Sequence, residues 1–200
     1  MDERFRESWF NASHVVLGRA LHPFCLYDAL ILSTEKSPFI CEDEDRGATT
    51  FSLQDLQLAV LVCSTDHRVF LEARLCKTWL DKLRMKLFGR RSRMICKDQR
   101  SLEHQGKLFS TYLRDYNSGP QLWEGDDGED RGLPEMKTPW LLAYVVRLIR
   151  STTFRPEEVW TMPIGQVFWY VTVLAEQTGT KSIDIVSPEE EAAMKELGYG

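Results

Sequence analysis

Residues 138–179 read TPWLLAYVVRLIRSTTFRPEEVWTMPIGQVFWYVTVLAEQTG, and the spacing within them decides the fold class. Thr138 is suited to cap a helix whose first position is Pro139, where a missing N–H costs nothing. Trp140, Leu141, Tyr144, Val145, Leu148 and Ile149 then recur at three- and four-residue steps, which predicts one buried helix face. Pro156 opens a second short helix with Glu157 and Glu158 in its first turn, favourable for the helix dipole. Pro163 breaks it. From Ile164 to Ala175 apolar side chains run nearly all round a third helix, with Gly179 placed as its C-cap. A stretch this rich in Trp, Tyr and Phe reads as core or interface, not as a catalytic loop.

Working outward, the chain of 200 residues is 43% hydrophobic and 28% charged with a net charge of −5. These are ordinary values for a soluble globular protein, and the bulk charge gives no reason to expect a nucleic acid or an acidic substrate. The charged opening MDERFRESWF has no signal-peptide pattern. The longest apolar run, Val167 to Ala175, is well short of the roughly 20 residues a membrane helix needs. Five cysteines, odd in number and widely spaced, point to reduced, buried thiols in a cytosolic protein.

The expected fold is mainly α: a compact helical domain over residues 1–200 with a small N-terminal β-hairpin. Lobes at 1–116 and 133–200 would be joined by an acidic, glycine-rich loop at 117–132. Val15 and Leu17 alternate with smaller residues, and Gly18-Arg19 is read as the hairpin tip. Pro23 opens a helix with Phe24, Tyr27, Leu30 and Ile31 on one face, ended by Ser37-Pro38. Ser52 caps the next, with Asp55 at the capping-box position and Leu53, Leu56, Ala59, Val60 and Cys63 aligned. A longer helix runs from about His67 with Trp79, Leu80, Leu83 and Leu87 inward. A further helix, Leu102 to Leu113, would turn Leu108, Phe109 and Tyr112 inward. Ser182 to Val186 reads as a short β-like alternation or extended chain before a last helix capped by Ser187.

Reaction chemistry is not legible. The four histidines lie far apart with no partner at metal spacing. Nucleophile-elbow, phosphate-loop and zincin motifs are all missing. The sequence therefore predicts no enzyme, no metal and no cofactor. Two candidate binding features remain. Lys82, Arg84, Lys86, Arg90, Arg91, Arg93, Lys97 and Arg100 form a basic segment. With Phe88 the one aromatic among them, it reads better as a solvated helix face or protein-binding patch than as a nucleic-acid site. The second feature is the aromatic set Trp140, Tyr144, Trp160, Phe168, Trp169 and Tyr170. These are read as core in part and otherwise as anchors for a client or a second copy of the chain.

Three motif groups resemble one family. They are L-G-R-x-L-x-P-F-x-L from Leu17 to Leu26 with S-P-F at Ser37 to Phe39, and F-S-L-Q-D-L-x-x-A-V-x-V-C-S from Phe51 to Ser64. The third is R-P-E-E-V-W-T-M-P-I-G-Q-V-F-W-Y followed by E-Q-T-G and, later, S-P-E-E-E. Together they cover about half the chain by length, and their order resembles the tail assembly chaperones of tailed phages and prophages. That resemblance implies a non-enzymatic helical protein of the bacterial host's cytoplasm that binds the tape-measure protein and helps recruit tail-tube subunits, with a homo-oligomer in keeping. A structural virion component (tail or connector) and a nucleic-acid-binding regulator using residues 82–100 are the alternative readings.

Overall fold

The computed structural model describes residues 13–40, 51–66, 79–120, 139–177 and 190. The protein is mainly helical, with one two-stranded hairpin. In chain order the elements are β1 (Val15–Val16), β2 (Arg19–Ala20), α1 (Leu26–Thr34), α2 (Leu53–Val62), α3 (Trp79–Ile95), α4 (Gln99–Tyr116), α5 (Trp140–Ser151), α6 (Pro156–Thr161) and α7 (Ile164–Gln177). The chain divides into two compact units, one of Asn11–Asp115 and one that includes Tyr116–Gly200. The expected caps Thr138 and Gly179, the loop at 121–132, the helical pattern from His67 to Thr78, and the C-terminal strand and helix lie outside the described residues.

In the first unit the hairpin pairs Val15 with Ala20 and Val16 with Arg19, so its tip is Leu17-Gly18 and not Gly18-Arg19. Both tip residues have positive φ, 50° and 71°, the backbone of a type I′ turn, whose twist matches that of the strands. Glycine takes this shape freely, whereas leucine does so at a cost of about 1–2 kcal/mol. Two compensations hold Leu17 there. Its side chain is completely buried, and its N–H donates to Gln105 Oε1 on α4 at 2.8 Å.

Helix α1 starts later than Pro23 suggests. Cys25 is its N-cap residue, and the Asp28 carboxylate accepts from the Cys25 N–H at 3.0 Å. The buried face is therefore Leu26, Ala29, Ile31 and Leu32, while Tyr27 and Leu30 are only half-buried. Its C-terminus closes with a Schellman pair, Ser37 N–H to the Leu32 carbonyl and Lys36 N–H to the Ser33 carbonyl. Lys36 occupies the left-handed position at φ 52°. Helix α2 is capped as expected: the Asp55 N–H donates to Ser52 Oγ at 3.2 Å and the Ser52 N–H to Asp55 Oδ2 at 2.7 Å.

Helix α3 continues through Gly89 and the basic residues to Ile95. The thinning apolar signal after Phe88 marks a solvent face and not a helix end. Leu87, expected inward, is exposed, and the buried positions are Phe88 and Ser92, whose hydroxyl donates to the Phe88 carbonyl. Helix α4 begins at Gln99, earlier than expected, because Asp98 accepts the Ser101 N–H at 2.7 Å. That contact, with the Ser101 hydroxyl and the Arg100 N–H, holds the Asp98 carboxyl below its usual range. The inward face of α4 is Gly106, Phe109, Tyr112 and Leu113, and Leu108 is turned outward. Around that face runs a chain of rings: Phe51 on Phe39 (5.0 Å), Phe39 on Phe109 (4.9 Å), Phe109 on Tyr112 (5.5 Å) and Tyr112 on Phe24 (6.0 Å). Gly106 faces Phe51 so closely that a Cβ would overlap the ring.

In the second unit α5 packs against both α6 and α7. Pro139 is the N-cap residue of α5, so the helix starts at Trp140, one position later than expected. Pro156 opens α6 as expected, with Glu158 Oε2 accepting from the Arg155 N–H at 2.7 Å. Leu141, Val145 and Leu148 form the buried stripe of α5, and Val159 is the buried residue of α6. Helix α7 buries Ile164, Val167, Trp169, Val171, Thr172 and Ala175, positions that cover about 200° of the helix, while Val173 and Gln177 face solvent on the other side.

Two substitutions test this account. Lys36→Gly should raise the stability of the first unit by about 0.5–1 kcal/mol, since only the left-handed strain is removed. Lys36→Ala, which keeps the Cβ, should not, and urea midpoints distinguish the two. Gly106→Ala should destabilise by about 1–3 kcal/mol despite alanine's better helix propensity, because Phe51 is pinned by Phe39 and cannot move aside.

Candidate functional site

Three groups of side chains are set by this fold. The first centres on His22, in the link between β2 and α1. Its N–H donates to the Cys63 carbonyl at the end of α2 at 2.9 Å, and its carbonyl accepts from the Tyr112 hydroxyl on α4 at 2.9 Å. Its Nε2 lies 3.0 Å and 3.1 Å from the two oxygens of Asp28 on α1. Asp28 is completely buried, which requires such partners, because an unpaired buried carboxylate is costly. Cys25 and Cys63 lie beside it, both buried.

A thiol, an imidazole and a carboxylate together invite comparison with a cysteine nucleophile, but the electrostatics run the other way. Burial, and then the Asp28 charge, push both thiols well above their ordinary range. Tyr112 is pushed up by burial and then by Cys63 and Asp28. A nucleophilic cysteine needs a lowered pKa and access; these are neutral groups in an interior. The cluster joins four elements and does so through polar contacts. Sequence reading passed over Asp28, although its place three residues after Cys25 is the spacing of a capping box.

The second group is the basic segment. Lys86, Arg90 and Arg93 recur at four- and three-residue steps on α3, on the side opposite Phe88 and Ser92, and all three are exposed. Arg91 is a third of a turn round from Arg90, beside the buried stripe. Lys97 lies in the α3–α4 connection and Arg100 in the first turn of α4, both exposed. Lys82 and Arg84 are on α3, with side chains outside the described set. Among the described residues, none of Lys86, Arg90, Arg91, Arg93, Lys97 and Arg100 takes part in an ion pair.

Arg19, which the sequence reading did not single out, lies on the Phe88 side of α3, away from the stripe of Lys86, Arg90 and Arg93. Its guanidinium lies over the Phe88 ring, 4.9 Å from the centroid, and Nη1 donates to Ser64 Oγ at 3.1 Å. A cation held over an aromatic face is partly oriented before any ligand arrives. The available signal was its position as the first residue after a tight turn, which places it on β2 facing whatever packs there.

The third group is the aromatic set of the second unit. Trp169 is buried, and Tyr144, Trp160, Phe168 and Tyr170 are half-buried; the Trp140 side chain is outside the described set. Tyr144 meets Phe168 edge to face at 5.7 Å, and Tyr170 meets Phe154 at 5.2 Å. Among the described residues of this unit the exposed large apolar side chains are aliphatic: Leu142 and Val146, one turn apart on α5, and Val173 on α7 are 42%, 46% and 40% exposed. No group of three or more His, Cys, Asp or Glu side chains suited to a metal occurs among the described residues. No described helix is long and apolar enough to cross a membrane.

No known protein family, curated protein or solved structure matches the chain.

Raised thiols in a polar-clamped interior should resist labelling. In native protein at pH 8, peptide mapping after iodoacetamide should find Cys25 and Cys63 unmodified and Cys96, which is only half-buried, partly modified. Asp28→Ala should cost about 3 kcal/mol and open both thiols to reagent, because it orphans the Cys25 N–H and His22 at once. Rapid alkylation of Cys25 in the unaltered protein would contradict the clamp.

Proposed function

We propose that this protein acts by binding other proteins, as a non-enzymatic tail assembly chaperone of the tailed-phage type that its motifs resemble. In this reading it works in the bacterial host's cytoplasm and shields apolar helical segments of the tape-measure protein while tail-tube subunits assemble. The observation that carries the reading is the surplus apolar face of α5. Leu141, Val145 and Leu148 satisfy the core, yet Leu142 and Val146 form a second stripe about 100° round the same helix and remain exposed. Aliphatic residues at one-turn spacing on a rigid helix suit an amphipathic client helix laid alongside. On the other side of that helix Tyr144 meets Phe168 of α7 edge to face.

The test is recovery of the tagged protein from its native phage or prophage background, followed by mass spectrometry of what accompanies it. A long, helical tape-measure protein should co-purify, and mature particles should lack the chaperone. Leu142→Glu with Val146→Glu should reduce that recovery at least about tenfold, as expected for loss of an interface centre, with the helical circular-dichroism signal unchanged. Stable incorporation into purified particles would instead make the protein a structural virion component.

A further inference from the structure

The solvent side of α3 carries two stripes that run together along the helix. Leu87 and Met94, seven residues apart and so about 20° from one another round the axis, are 55% and 64% exposed. Lys86, Arg90 and Arg93 form the parallel stripe, and all three are exposed. Arg90 joins the two, three residues from Leu87 and four from Met94, a spacing that puts side chains about 5–6 Å apart at Cβ. Arg91, on the other flank of Leu87, is turned to the hairpin instead: a Cβ on Gly18 would stand 2.5 Å from its Nη2. From Met85 to Ile95 the helix has no Asp or Glu. Among the described residues, Lys86, Arg90 and Arg93 take part in no ion pair.

We propose that this face docks an acidic amphipathic helix of a partner protein, whose apolar stripe lies on Leu87 and Met94 while its Asp and Glu side chains meet Lys86, Arg90 and Arg93. Charge complementarity chooses the partner, since the face offers a row of cations and no carboxylate of its own. Lys86 and Arg90, four residues apart, repel each other along the free helix, and a carboxylate between them removes that repulsion. The apolar stripe argues against a polyanion. Leu87 and Met94 offer nothing to a phosphate, and Phe88, the aromatic ring of this segment, is buried where no base can stack on it. A bilayer or a duplex would also meet the field of the whole molecule, which carries −5, whereas a single helix meets the stripe alone. Methionine's flexible thioether adapts to a partner's side chains, and arginine is favoured at interfaces. Two turns of contact make a small interface, so the complex is transient and salt-sensitive. The inference goes beyond the client-binding reading and uses the first unit alone.

Fluorescence anisotropy with the full-length chain tests it. The probe is a labelled helical peptide of about 20 residues, with leucine at three- and four-residue steps and glutamate on both flanks; its control has lysine for each glutamate. The glutamate peptide should bind at low salt and the lysine peptide should not, with affinity falling several-fold as salt rises from about 50 to 200 mM. Arg90→Glu should weaken binding at least about tenfold, and so should Leu87→Ser with Met94→Ser. These positions are exposed, so the melting temperature of each variant should hold. The triple change Lys86→Glu, Arg90→Glu and Arg93→Glu should exchange the preference and bind the lysine peptide, which no merely structural role would produce. No binding of the glutamate peptide at low salt would overturn the proposal. Indifference to the Leu87 and Met94 change would do the same, leaving only non-specific charge attraction. Binding lost in Leu142→Glu with Val146→Glu but kept in the α3 variants would overturn it and assign the peptide to α5. Binding of DNA of about 20 nucleotides or of phosphatidylserine vesicles, with the peptide unbound, would replace it with a polyanion or membrane surface.

Discussion

The contact on which the first unit depends is the buried Asp28 carboxylate with His22. A charged group with no solvent exposure stays in place only if every lone pair that matters is met, and here the partners come from different parts of the chain. The Cys25 N–H is local, the His22 ring comes from the preceding link, and His22 is itself held by Cys63 and Tyr112. Apolar packing alone would let α1, α2 and α4 slide on one another, since hydrophobic burial has no direction. The polar clamp gives them one register, and the ring chain from Phe51 to Phe24 then fills the space that this register defines.

The same clamp explains why the hairpin accepts an awkward residue. With the link after β2 anchored at His22, the turn must fall at Leu17-Gly18, and Leu17 is drawn into the interior against its own backbone preference. The cost is offset by burial and by Gln105. Gly18, in turn, is what lets Arg91 cross the tip. Backbone strain, core packing and the arrangement of the positive surface are thus linked within a few residues of one another.

Among the described residues of the second unit, the helices meet mainly through aliphatic and aromatic side chains. Tyr144 and Phe168 meet edge to face, and the apolar residues left exposed among the described ones are Leu142 and Val146 on α5 and Val173 on α7. An exposed pair such as Leu142 and Val146 is a modest patch, but on a helix whose other stripe is fixed in the core it is a rigid one.

Much of the local structure was legible in the sequence. Periodicity identified α2, α5 and α7, the Ser52–Asp55 cap and Pro156 marked helix starts correctly, and the absence of alternation beyond the N-terminus made the chain mainly α. These features depend on neighbours within four residues, so they are written in the order of the amino acids. What the tertiary structure decided depends on residues far apart. Leu17 belongs in a turn because Gln105 is 88 positions away to receive its N–H. Leu87 faces outward because Phe88 is the position packed inward beneath Arg19, and Leu108 because Phe109 and Tyr112 are taken by the ring chain. Arg19 is held against α3 because Phe88 lies under it. Local spacing sets which face a helix can bury; only the packing of distant elements chooses which face it does bury, and with that choice comes the surface left for binding.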